Sequence, residues 1–389
     1  MKISISELVD PHAARVVVRR DHSGTVTSAK FDIRGVPRVD QMLLGRPVAQ
    51  VPALITRLCG LCPVTHHLAG IAALDSLYGY RISDTAKAIR ALLHHGSVVS
   101  VMGPKLLHHE ANPTLARRVH RLGKTTCAAA GMTGHFPDVA VPGGVAVTVR
   151  LEDVEKLHQE ALTCRAEVLN LDAGQAPQFE FPGYNLSLVD ATGRWDPLGD
   201  TVQLTYAADT DQPSITFPVA EIVDRIRETE PGSITPNPQV RIGETWQPYR
   251  VGPAARHLAL TPVQAQLKSI TESITEIIKL CESESLTAEE EQPTPTTTTV
   301  TGTGIGAIDG PRGLLIHRYT ARDGNLTECQ ILSPTAQNEP WLAHTLRYVI
   351  SHGQVELVED AIRAADPCLP CTTAPRGLMN VEIIEEPCA

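Results

Sequence analysis

The stretch "ITRLCGLCPVTHHLAG", residues 55–70, decides how this chain is read. Cys59 and Cys62 stand three positions apart, directly before Pro63, a residue suited to the first position of a helix, and before a run with helical spacing over about 64–80. Both sulfurs would then sit at the positive end of a helix, where thiolates are favoured, and Arg57 would add positive charge. A second pair occurs in "DPCLPC", residues 366–371. One CxxC can grip one metal, and two supply four thiolates, enough for a closed tetrahedral zinc or an iron-sulfur centre. The gap from Cys62 to Cys371 is 309 positions, far longer than in a zinc ribbon, so a shared site would join both ends of a large fold. Soft thiolates suit nickel, iron, zinc or copper(I) and disfavour magnesium or calcium. The residues alone leave two alternatives open, a redox CxxC or two buried pairs.

Composition narrows the class. A chain of 389 residues buries a substantial core and allows two or three units. Hydrophobic residues make up 42% and aromatics 4%, and the net charge of -10 argues against a phosphate-backbone binder, so nucleic acid is set aside. No apolar run approaches eighteen residues, and "MKISISELVD" has neither a basic head nor a long apolar region. Cytoplasm is the default compartment; export together with a signal-bearing partner would show the same start. Nine scattered cysteines, four of them in the two pairs, suggest metal or redox chemistry before a disulfide framework.

The expected class is mainly α with small β parts (α+β). "ARVVVRRDHSGTVTSAKFDI" alternates β-branched and polar residues around an Asp-His-Ser-Gly turn and reads as an N-terminal hairpin. Three-and-four spacing predicts helices over 64–80, 84–108, 151–172, 262–283 and 339–364, and β-like pieces fall at 201–206, 214–219, 312–320, 326–333 and 378–384. The acidic, then Thr- and Pro-rich stretch 282–304 offers almost nothing to bury and reads as a solvated linker. The chain then divides into 1–281 with the first cysteine pair, the linker, 305–374 with the second pair, and an extension, 375–389.

Arg57-x-Cys59-Gly60-x-Cys62-x-x-x-His66 combined with Asp366-Pro367-Cys368-x-x-Cys371 resembles the two nickel-binding motifs of the [NiFe]-hydrogenase large subunit. "GHFPDVAVPGG" (134–144), "YRVGPAAR" (249–256) and "DGPRGLLIHRY" (309–319) resemble further segments of that family, so the likeness runs over essentially the whole chain. It implies nickel held by four thiolates, with Cys59 and Cys368 terminal and Cys62 and Cys371 bridging to an iron that carries carbon monoxide and cyanide. It also implies heterolytic splitting of dihydrogen, the proton passing to a terminal sulfur such as that of Cys368 or to a nearby base. Arg312 matches the arginine that overhangs the open metal position, and Pro311 shapes the same pocket. Pro334 and Thr335, in "ILSPTAQNEP", would neighbour the other cyanide, and His66 would hydrogen-bond near a bridging sulfur. The wording "CGLCPVTHHLA" and "PRGLLIHRY" resembles the soluble cytoplasmic type coupled to nicotinamide or a similar carrier.

Three departures stand out. Asp10, in "LVDPHAARV", takes the place of the proton-relaying glutamate and is one methylene shorter. Ala374 stands where a histidine or arginine marks the cut that removes the extension during maturation. The magnesium ligands have no clear counterpart, so magnesium is left unassigned. The remaining cysteines are isolated, which implies an iron-sulfur small-subunit partner to carry electrons away, with diaphorase-type subunits beyond it and maturation factors to load the metal. Two rival readings stay open: a hydrogen-sensing or inactive hydrogenase-like protein with the same metal frame, and a structural four-cysteine zinc or iron-sulfur protein.

Overall fold

The alternation in the first segment does produce a hairpin. Ala13–Arg20 and Val26–Phe31 pair antiparallel, and the turn is closed by the Asp21 carboxylate, which accepts from the backbone N–H groups of Ser23 and Thr25. This computed structural model describes residues 13–33, 39–109, 112–171, 177–206, 213–229, 236–289 and 299–386. The strand predicted at the chain's far end, Asn380–Glu386, joins the hairpin parallel to Ala13–Arg20. Three exposed ion pairs line that seam: Arg15–Glu382, Arg19–Glu386 and Arg20–Glu385.

Helices form the largest core. The helix Pro63–Tyr78 is apolar on nearly every side and accordingly buried almost all round. It packs beside Asp84–Met102, whose N-cap Ser83 accepts from the Ala86 N–H, and Pro262–Cys281 starts with a reciprocal Thr261/Gln264 capping box. Leu151–Val168 completes the predicted set. Asp84–Met102 stops six residues short of the expected 108 and continues as a tighter turn from Gly103, because Pro104 supplies no N–H. The single helix expected over 339–364 is two, Glu339–Ser351 and Val358–Ala365, broken where Gly353 takes a φ of 71°. Among the long helices one went unpredicted, Pro113–Ala129, although Asn112 caps it through Thr114 N and Pro113 occupies its first position.

The β content exceeds the expectation. Six strands in the order Ile215–Pro218, Thr201–Tyr206, Tyr184–Val189, Thr245–Val251, Pro238–Ile242, Ile226–Glu228 form one sheet over its own core, with a parallel step between Tyr184–Val189 and Thr245–Val251. A second, antiparallel sheet of Gly302–Gly310, Gly313–Arg322 and Asn325–Leu332 lies against the helix Pro63–Tyr78. The supposed linker is therefore structured at both edges: Glu284–Leu286 forms a helical turn with Leu286 buried, and a strand begins at Gly302. Residues 290–298 fall outside the described residues.

Contact between that sheet and the helix is backbone to backbone. A Cβ on Gly304 would lie 2.1 Å from Ala73 O, and one on Gly306 2.3 Å from Ala69 O. Only glycine fits there, and the strand's glycines bring its end, Asp309–Gly310, beside the helix start that carries Cys62. Among the described residues no helix is long and apolar enough to cross a membrane.

Candidate metal centre

Pro63 opens its helix as the sequence implies, with Cys62 as N-cap (φ -139°, ψ 47°). Cys59 lies in the turn just before, and its sulfur accepts from Leu61 N at 3.4 Å. The second arm arrives from the helix Val358–Ala365, which ends at Asp366 in the left-handed region (φ 48°) before Pro367 turns the chain toward Cys368. Two residues of one segment hold this arm: Thr335 Oγ1 accepts from Cys368 N at 2.8 Å, and Asn338 Nδ2 donates to Ala365 O at 3.4 Å.

These arms bring together the sulfurs of Cys59, Cys62 and Cys368, all within 4.8 Å of one another. Cys368 Sγ lies 3.6 Å from Cys59 Sγ and 3.3 Å from Cys62 Sγ. Hydrogen bonds from Cys368 and Cys62 hold the Cys59 thiol far below its ordinary range, whereas the same bonds push Cys62 well up. The three sulfurs thus shift one another's acidity, and a soft cation bound as thiolate ligand would release their protons. Cys371 does not join it. One turn beyond Cys368, its side chain packs into the core with Trp341 and Ala254, and burial pushes its thiol up to about 11.

Above the trio sits Arg312. Gly310 and Gly313 close a two-residue hairpin loop, so Pro311 and Arg312 form its tip, both buried. The hairpin is anchored at its base by Asp309, which accepts from Arg256 Nη1 at 2.6 Å and Trp195 Nε1 at 3.0 Å. Burial alone would lower the Arg312 pKa, but the negative charge of Cys368 and Asp366 outweighs it and holds the guanidinium fully charged. Its Nε forms an ion pair with Asp366 Oδ1 at 3.5 Å, while its Nη1 has no hydrogen-bond partner among the described residues although the residue is 5% exposed. Asp366 also takes an ion pair from the buried Lys105. A buried guanidinium that interacts with three converging soft sulfurs and keeps one donor without an acceptor fits a soft transition metal that would bring an acceptor ligand of its own.

The other expected residues fall as follows. His66 is buried one turn along from Cys62, and burial lowers its pKa. Pro334 and Thr335 open a short helix capped by Ser333. Arg57 is exposed and makes no contact with the sulfurs; the positive charge beside them belongs to Arg312. Asp10 lies outside the described residues. His67, His94 and His95 are buried in structural settings, with His67 Nε2 accepting from Ala140 N at 2.9 Å. Sequence reading missed Lys105 and Asp366 as a pair, and His135, whose ring donates to Gly60 O at 2.8 Å between the two cysteines. Beside the Gly60–Leu61 loop opens a cavity of about 530 Å³, to which Lys105, Arg312, Pro63, Met132 and His135 contribute.

A family model described as nickel-dependent hydrogenase matches residues 34–108, the segment that carries the first cysteine pair. The beta subunit of the NAD-reducing hydrogenase HoxS of Cupriavidus necator is 26% identical, over 95% of this chain and 93% of that one. The chain is thus similar to nickel-dependent hydrogenases along nearly its whole length. The matching chain of the F420-non-reducing hydrogenase vhu of Methanococcus voltae is 24% identical, over 89% of this chain and 97% of its own length. Among solved structures, an NAD+-reducing [NiFe]-hydrogenase in the H2-reduced state superposes with a TM-score of 0.73 at 25% identity, over 91% of this chain and 95% of that one. The Ni-Fe-Se hydrogenase of Desulfovibrio vulgaris Hildenborough, at 15% identity and a TM-score of 0.65, shares the fold. The likeness extends over nearly the whole chain and so spans both widely spaced cysteine pairs.

Proposed function

We propose that this chain is the catalytic large subunit of a [NiFe]-hydrogenase, converting H2 reversibly into two protons and two electrons. The observation that carries the reading is the convergence of Cys59, Cys62 and Cys368 from opposite ends of the chain beside the buried Arg312, whose Nη1 has no hydrogen-bond partner among the described residues. When bound, the nickel-iron group supplies the Lewis acidity and the redox change that the reaction needs. The chain's own groups do the rest. Cys59, Cys62 and Cys368 are the ligands, with Cys371 expected to join as the fourth by turning out of its core. The Cys368 sulfur, already able to exchange a proton with Cys59, is the first proton acceptor. Arg312, through its unpartnered Nη1, would offer a donor to the bound group, Pro311 would shape that pocket, and Thr335 fixes the Cys368 backbone.

Among the described residues no second group of three close metal-binding side chains occurs, which supports electron exit through an iron-sulfur small subunit. The NAD-reducing relative makes a nicotinamide carrier the first acceptor to test and supports a cytoplasmic setting. A structural zinc site is the weaker reading, because a closed site has no use for an unsatisfied guanidinium over it.

Metal analysis and infrared spectroscopy of the purified complex test the proposal. Nickel, iron and stretching bands of carbon monoxide and cyanide are expected; zinc alone, in material matured with its accessory proteins, would overturn it. Hydrogen-dependent dye reduction then separates an enzyme from a sensor, which would carry the loaded site with negligible turnover.

A further inference from the structure

Behind the sulfur trio runs a chain of three buried polar rings. His66 Nδ1 lies 3.1 Å from His317 Nε2, and His317 Nδ1 lies 2.5 Å from the Tyr319 hydroxyl. His317 and Tyr319 have no exposed surface, and His66 is 6% exposed. The two residues reach the helix from the strand Gly313–Arg322, where alternation places 317 and 319 on the face packed against it.

The direction of these bonds follows from Tyr319. Among the described residues His317 Nδ1 is the hydroxyl's only hydrogen-bond partner, and a buried hydroxyl proton left unpaired costs about 1–3 kcal/mol. Tyr319 therefore donates and His317 Nδ1 accepts. A neutral imidazole carries its single proton on the other nitrogen, so His317 Nε2–H donates to His66 Nδ1. Burial, which keeps the His317 ring neutral, agrees with this order. With Nδ1 occupied as an acceptor, the His66 proton sits on Nε2, a nitrogen that makes no hydrogen bond within the described residues.

We propose that Tyr319 and His317 are positioning residues that lock His66 as the Nε2–H tautomer, so that its outer nitrogen is a donor and never a lone pair. The value of such a donor to the reaction rests on the metal reading above; the tautomer itself does not. A histidine able to flip its proton would alternate between donor and competing ligand, and the second partner on Nδ1 removes that choice.

The experiment is a two-bond proton–nitrogen correlation spectrum of the full chain, metal-free, with 15N-labelled histidine, in which His66→Gln identifies the His66 signals. A single pattern with a protonated Nε2 and a bare Nδ1 is expected. Tyr319→Phe removes the donor and should give His66 a mixture of both tautomers, without changing the nickel content of the matured complex. A proton on Nδ1 of His66 in the unmodified chain would overturn the proposal, as would a His66 pattern untouched by Tyr319→Phe. The unmodified chain decides the first point if the variant fails to fold. Failure of the metal reading would appear separately, as missing nickel beside an intact Nε2–H pattern.

Discussion

At the scale of single residues, the site depends on backbone groups as much as on sulfurs. Thr335 Oγ1 is the acceptor for Cys368 N–H, so Thr335→Val should leave that donor unpaired and cost about 1–3 kcal/mol, whereas Thr335→Ser should restore it. Denaturant midpoints and nickel retained after dialysis would check this, the valine variant losing on both. The cysteines were legible because thiols at that spacing have few other uses, and Arg312 and Thr335 through the motifs around them. Lys105, Asp366, His317 and Tyr319 matter through contacts across long sequence distances, and one chain's residue order does not encode those. Arg57 shows the opposite limit: two positions from Cys59 in sequence, it is exposed, whereas Cys59 is partly buried.

Elements were read best where a residue pattern and its burial coincide. The N-terminal hairpin and the helices around the first cysteine pair follow from periodicity, whereas Gly302–Gly310 carries too few side chains to show a strand pattern. Its glycines are needed for contact, not flexibility. Gly306→Ala places a methyl against Ala69 O and Ala73 N, both backbone atoms, and is expected to cost about 3 kcal/mol or more and lower the melting temperature by several degrees. The extension 375–386 is likewise an element, not an appendage. Ala374 is fully buried, Arg363 donates to the carbonyls of Ala374 and Pro375, and the strand beyond pairs with Ala13–Arg19. Limited proteolysis of the folded, metal-free chain should leave the Ala374–Pro375 bond intact, with the intact mass as the readout. The seam's three exposed ion pairs contribute little individually, about 0.2–1 kcal/mol each.

For the molecule as a whole, buried histidines set the acid limit. Burial pushes His67 and His95 down to about 3, and His94 also falls well below its ordinary value of 6.5. Their folded values lie below the unfolded one, so the stability they contribute is complete above about pH 6.5 and lost as pH falls toward 3. Each costs roughly 1.4 kcal/mol per pH unit in that window, and three together about 4 kcal/mol at pH 5.5. Melting temperatures measured from pH 7.5 to 5 should drop steeply below 6.5; a flat profile would mean that these rings are charged in the fold. The α+β class and the union of both chain ends were legible, but the six-stranded sheet was not, because several of its strands are short and their pattern is broken by prolines and polar residues. That union also sets a clock. Cys368 is synthesised 309 residues after Cys59, roughly 15–60 s later at ordinary translation rates. For that interval the ribosome displays a vacant thiol pair to every soft metal in the cell, and only the late arm can convert a weak two-sulfur grip into a selective site.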